Sequence, residues 1–148
     1  MNDILWRFAD LTPRRFAPGE VLIEEGLETG KLFVLKSGTV EVRRGGVAVT
    51  SIAEPGAVLG EMSALLDRPH TASVVATAPV EAYGLDNGVR FLADRPALAL
   101  HVAQLLAQRL DTTTALLDRL KASAADKKRD TSLFDRLLGF LTGREAAG

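Results

Sequence analysis

The sequence predicts a mainly β domain, an antiparallel roll of jelly-roll type with a short helix before it and a short and a long helix after it. Three observations predict it. Between about residues 16 and 85, short apolar or alternating runs recur at close spacing, each closed by Gly, Pro or Ser. Before and after that stretch the apolar positions fall at helical spacing instead. A single insert, residues 60–74, interrupts the strands with a run suited to one or two helical turns.

Ile4, Leu5, Phe8 and Leu11 recur at helical spacing, Asn2 or Asp3 can cap them, and Pro13 ends the run, so a short helix is expected first. Strands are expected over 21–23, 32–35, 40–42, 47–52, 58–59, 73–76 and 80–83. Pro18-Gly19, Gly26, Ser37-Gly38, Gly45-Gly46, Pro55-Gly56 and Pro79 punctuate them. Gly45-Gly46 between two alternating runs predicts a tight hairpin. Seven or eight such strands suit a roll, sandwich or barrel.

After Leu85 the period changes. Residues 87–94 suit a short helix, and Pro96 stands where a helix tolerates proline, opening a run to about Ser123. At this length the helix reaches roughly 42 Å, too far to lie wholly on so small a roll. Ala103, Leu106, Leu110, Thr113, Leu117, Leu120 and Ala124 follow coiled-coil spacing, while Leu98, Val102, Leu105 and Leu116 make a second stripe. The expectation is a homodimer through the 103–124 seam. The alternative is that both stripes fold back on one domain. Residues 1–123 then form the domain and 124–130, with Asp126-Lys127-Lys128-Arg129-Asp130, a solvated linker. Residues 131–148 hold a short amphipathic helix over 131–142 and a tail, with Leu133, Phe134, Leu137, Leu138 and Leu141 on one face and Thr131 or Ser132 as cap. That helix is expected to dock on protein, its own dimer or an unknown partner. A membrane surface is the weaker choice, because the polar face carries only Asp135, Arg136 and Arg144.

Composition narrows the function classes. The chain has 148 residues, 47% hydrophobic and 25% charged, which is ordinary for a globular domain. A net charge of −1 lacks the basic excess of a nucleic-acid surface. There is no cysteine, so no disulfide or thiolate chemistry. No apolar run approaches membrane-spanning length, and the start lacks signal-peptide features, so the cytoplasm is the expected compartment. His70 and His101 are the only histidines, and the latter falls on a predicted helix. A metal-binding roll enzyme would need clustered His and carboxylates, so neither catalytic residues nor metal ligands are nominated and no enzyme is expected.

The insert reads "GEMSALLDRPHTASV". Gly60 lets a backbone approach closely, and the amides of Met62, Ser63 and Ala64 at a helix start would point outward as an anion cradle. Glu61 suits a sugar hydroxyl, as carboxylates do in dinucleotide sites. Thr71 and Ser73 add hydroxyls on the returning strand. These residues together suit an anionic sugar phosphate.

"FAPGEVLIEEG", "LFVLKSGTVEV", "PGAVLGEMSALL" and "RPHTASV" stand in order and at family spacing. Through them the chain resembles the cyclic nucleotide-binding domains of catabolite activator proteins, cyclic-nucleotide-dependent kinases and gated channels, over about residues 3–123. The resemblance implies a β-roll with flanking helices and makes 60–73 a phosphate-binding cassette for cAMP or cGMP, with no metal. Leu59, Gly60 and the amides after Glu61, those of Met62 and Ser63, would surround the cyclic phosphate, Glu61 would take the ribose 2′-hydroxyl, and Thr71 and Ala72 would line the other side. "QRLDTTTALL" is similar to the stretch that sets two hydroxyls against adenine in the activators, which nominates Thr113 and Thr114 for the base or, for Thr113, the dimer seam; plain helix surface is the alternative.

The family's Pro-Arg-Thr/Ala-Ala carries an arginine on the phosphate, but the residue after Pro69 here is His70. Losing such a contact is worth about 1.5–3 kcal/mol. His70 as a cation, or Arg68 close by, is the candidate replacement. The alternative is a cassette that has lost its ligand and serves dimerisation or docking. The resembling activators continue into a helix-turn-helix domain, for which the residues after Ser123 are too few, so the expected output is a protein contact rather than nucleic acid.

Overall fold

The computed structural model describes residues 4–125 and 132–142. Its elements run as a 3-10 helix (Leu5–Phe8), β1 (Arg14–Phe16), β2 (Val21–Ile23), β3 (Leu32–Ser37), β4 (Val40–Arg44), β5 (Val47–Ile52), β6 (Val58–Leu59), α1 (Glu61–Leu66), β7 (Ser73–Ala76), β8 (Val80–Leu85), α2 (Gly88–Ala93), α3 (Pro96–Ala125) and α4 (Ser132–Leu141). The strands form two four-stranded sheets, ordered β1-β8-β3-β6 and β2-β7-β4-β5, and every pairing is antiparallel. The mainly β reading with flanking helices holds.

Residues of both sheets fill the interior. Leu22, Ile23, Phe33, Leu35, Val40, Leu59, Val74, Ala76, Val80 and Ala82 make one buried cluster drawn from both sheets. β4 and β5 join at Gly45-Gly46, whose φ values of 56° and 79° are what a two-residue hairpin turn needs.

Two elements differ from expectation. The first helix is a single 3-10 turn starting after Ile4, with no side-chain cap; Asn2 and Asp3 lie outside the described residues. A run this short cannot repay α-helix nucleation, and its anchor is Phe8, stacked on Tyr83 and Phe91 with centroids 5.2 and 6.0 Å apart. β1 was not expected because Arg14-Arg15 breaks the apolar pattern. Its partner β8 supplies the ladder, with Arg15 opposite Glu81 and an ion pair at 3.2 Å.

The chain divides into two compact units, Met1–Pro96 and Ala97–Gly148. In the second, α3 runs two residues past the expected end, with Leu98 and Val102 buried and Leu110, Leu116 and Leu120 exposed. On α4, Leu137 and Phe140 are exposed. Thr131 and the 126–130 charge run lie outside the described residues.

Candidate functional site

The site is built where β6 stops after two residues. Leu59, buried, pairs with Phe33 on β3, and Gly60 then turns the chain with φ 85° and ψ 9°. Only glycine fits. A Cβ there would stand 2.7 Å from the Lys31 carbonyl oxygen, 2.9 Å from Ile23 Cδ1 and 3.3 Å from His70 Cε1. Gly60 caps α1, and Glu61, in its first turn, is buried at 7% exposure.

Helix geometry leaves the amides of Met62 and Ser63 without intrahelical acceptors. The Ala64 amide, expected to join them, instead donates to the Gly60 carbonyl at 3.2 Å, so it is not among the outward-facing amides. In a helix of six residues the individual N–H groups, rather than a macrodipole, are what an anion would meet.

The far end of α1 is tied off locally. Asp67 takes the left-handed conformation at φ 51°, the Arg68 amide donates to the Ser63 carbonyl at 3.3 Å, and the Ser63 hydroxyl donates to the Arg68 carbonyl. The Ser63 hydroxyl is thereby spent on closing the helix. Packing holds α1 in place from the other side. A Cβ on Gly88, at the start of α2, would stand 2.9 Å from Leu32 Cβ and 3.3 Å from Ala64 Cβ.

His70 is buried at 4% exposure. Its amide donates to the Leu27 carbonyl at 3.0 Å and its carbonyl accepts from the Gly26 amide at 2.8 Å. Its Nε2 lies 2.7 Å from Thr29 Oγ1, which also accepts the Lys31 amide at 3.2 Å. Desolvation by burial lowers the His70 pKa below the ordinary 6.5. Ser73 Oγ accepts the Glu25 amide at 2.9 Å, so the whole 24–31 loop is laced to residues 70–73.

The structure thus gathers Gly60 and His70 around one turn with Leu59 and Glu61 adjoining. Met62, Arg68 and Thr71 are exposed, and Ala72 is half-buried. Thr113 and Thr114 lie on α3 in the second unit, their hydroxyls donating to the Arg109 and Leu110 carbonyls at 2.8 Å each. Sequence reading missed Thr29, Lys31 and Ile23, which touch the turn or its supports. No spacing rule links them to residue 60 or 70; only sheet pairing does. Among the described residues no group of three or more His, Asp or Glu could hold a metal ion, and no helix is long and apolar enough to cross a membrane.

Comparison with known proteins agrees with this fold. The chain is 36% identical over 118 residues to glutaminase 2 of Bradyrhizobium diazoefficiens, covering 75% of this chain and 19% of that one. It is 29% identical over 109 residues to a CRP-like cAMP-activated global transcriptional regulator of Mycobacterium tuberculosis, covering 70% of this chain and 49% of that one. The chain therefore spans a fifth to a half of these relatives. The crystal structure of Thermus thermophilus catabolite activator protein superposes with a TM-score of 0.65 at 27% identity, over 80% of this chain and 61% of that one. The family profile described as cyclic nucleotide-binding domain matches residues 13–89, which run from just before β1 into α2 and enclose the Gly60 turn. The chain belongs to the cyclic nucleotide-binding domain family.

Proposed function

We propose that this chain is a regulatory module that binds cAMP or cGMP at residues 60–73 and signals through α3 to a second copy or a protein partner. The observation that carries the reading is the Gly60 turn, a left-handed glycine with no room for a Cβ, followed by first-turn amides and a buried Glu61. In this reading Gly60 and the amides of Met62 and Ser63 hold the cyclic phosphate, Glu61 accepts the ribose 2′-hydroxyl, and Thr71 and Ala72 line the opposite side. Thr113 and Thr114 are the proposed base-facing residues. Their hydroxyl protons are already given to helix carbonyls, so they would offer a base an acceptor. The cAMP-activated regulator and the catabolite activator protein among the relatives support the ligand class. The proposed setting is cytoplasmic, and the proposed output is a protein contact through α3 or α4 rather than nucleic acid or membrane.

Calorimetry with cAMP and with cGMP, at pH 6 and pH 8, tests this. Saturable micromolar binding of at least one nucleotide is expected. Glu61→Ala removes a hydrogen bond to a charged group and should weaken binding roughly ten- to a hundredfold. The buried ring of His70 is engaged with Thr29, so affinity should hold within about twofold between the two pH values; a ring serving as phosphate cation would tighten binding at pH 6. No heat with either nucleotide at high micromolar concentration overturns the proposal and favours a docking module without ligand.

A further inference from the structure

Gly60 must hold one backbone conformation to aim the amides that follow it, yet glycine has the broadest backbone freedom of any residue. Its shape has to be imposed by its neighbours. Two of the three atoms nearest the place a Cβ on Gly60 would take, the Lys31 carbonyl oxygen and His70 Cε1, belong to residues joined by one side chain. Thr29 Oγ1 accepts the Lys31 amide at 3.2 Å and meets His70 Nε2 at 2.7 Å.

We propose that Thr29 and His70 form a latch that positions the Gly60 turn for the cyclic phosphate, so that Thr29, outside the 60–73 segment, sets nucleotide affinity. This deepens the nucleotide-binding reading and rests on it. His70 then acts as a positioning residue, not a phosphate ligand.

Hydrogen bookkeeping allows the latch. The Thr29 oxygen takes one amide proton from Lys31 and keeps a proton and a lone pair. Either meets the ring, by donation to a bare Nε2 or acceptance from a protonated one. The backbone of His70 already clamps the same loop at both ends, through the Leu27 carbonyl and the Gly26 amide. The ring bond adds the link that reaches Lys31 and hence Gly60. A buried imidazole at 4% exposure with its Nε2 so engaged has little freedom to swing toward a ligand.

The test compares Thr29→Val, which keeps the shape and loses the hydroxyl, with Thr29→Ser, which keeps the hydroxyl. Three quantities are read: nucleotide affinity by calorimetry, amide hydrogen exchange, and the nitrogen resonances of the His70 ring. Thr29 is exposed, so both variants are expected to fold. Thr29→Val should bind about tenfold more weakly, as for one lost hydrogen bond. Its Gly26, His70 and Ala64 amides, the last bonded to the Gly60 carbonyl, should exchange faster, and the ring nitrogens should shift. Thr29→Ser should match the wild type in all three. Wild-type affinity and exchange in Thr29→Val would overturn the latch. So would equal losses in both variants, or faster exchange spread evenly across both sheets. If the wild type binds neither nucleotide, the nucleotide reading falls and exchange alone judges the latch. Faster exchange at Ala64 in Thr29→Val but not in Thr29→Ser then supports it, and unchanged exchange overturns it.

Discussion

Gly60→Ala is the most direct test of how the turn is made. Two effects act on the added methyl. A non-glycine residue at φ 85° pays the left-handed penalty, about 1–2 kcal/mol. The methyl would also stand 2.7 Å from a backbone oxygen and 2.9 Å from Ile23 Cδ1, which forces the strands apart. Overpacking of this kind typically adds about 1–3 kcal/mol. Gly46→Ala separates the two effects. Gly46 has φ 79° but nothing within 4 Å of its would-be Cβ, so it carries the backbone penalty alone. For a chain of 148 residues each kcal/mol moves the melting midpoint by roughly 2–4 °C. Gly60→Ala should therefore melt at least about 2 °C below Gly46→Ala by scanning calorimetry. It should also lose nucleotide affinity, because Lys31 and His70 are displaced with it. Equal midpoints for the two variants would refute the steric argument and show that the turn relaxes freely.

Acid should weaken the fold through His70. Its folded pKa is depressed below 6.5, so well above pH 6.5 both folded and unfolded rings are neutral and this group adds no pH dependence; as pH falls from 6.5 toward the folded value the unfolded state binds more protons and stability is lost, until the folded ring is protonated as well. Urea unfolding from pH 7.5 to 5.5 should show a shallower decline in His70→Gln, and identical slopes would contradict the assignment. The homodimer proposal predicts that the chain sediments as a dimer at micromolar concentration. Leu110→Glu with Leu120→Glu, two exposed positions on the α3 seam, should give a monomer, and a monomeric wild type would remove the proposal.

Much of the architecture was legible because short apolar runs are closed by turn residues. The runs 21–23, 47–52, 58–59 and 73–76 became strands with those bounds, and Gly45-Gly46 became the hairpin turn. Where burial comes from partners distant in sequence, the pattern faded. β1 carries two arginines and exists because β8 offers it a ladder. The opening helix shrank to one 3-10 turn because its packing rests on Phe8.

At the site the division is sharper. Residues 60–73 stood out in the sequence by themselves, since Gly-Glu before a short helix and hydroxyls on the returning strand are local features. The sequence also flagged the departure at His70, but as a missing phosphate charge. Only the tertiary structure decided what the ring does instead: it is buried and bonded to Thr29, 41 positions earlier in the chain. Periodicity reports which face of an element is buried, whereas a hydrogen bond between a loop and the start of a strand depends on how two sheets bring their ends together. That information resides in pairings such as Phe33 with Leu59, not in any stretch of sequence read alone.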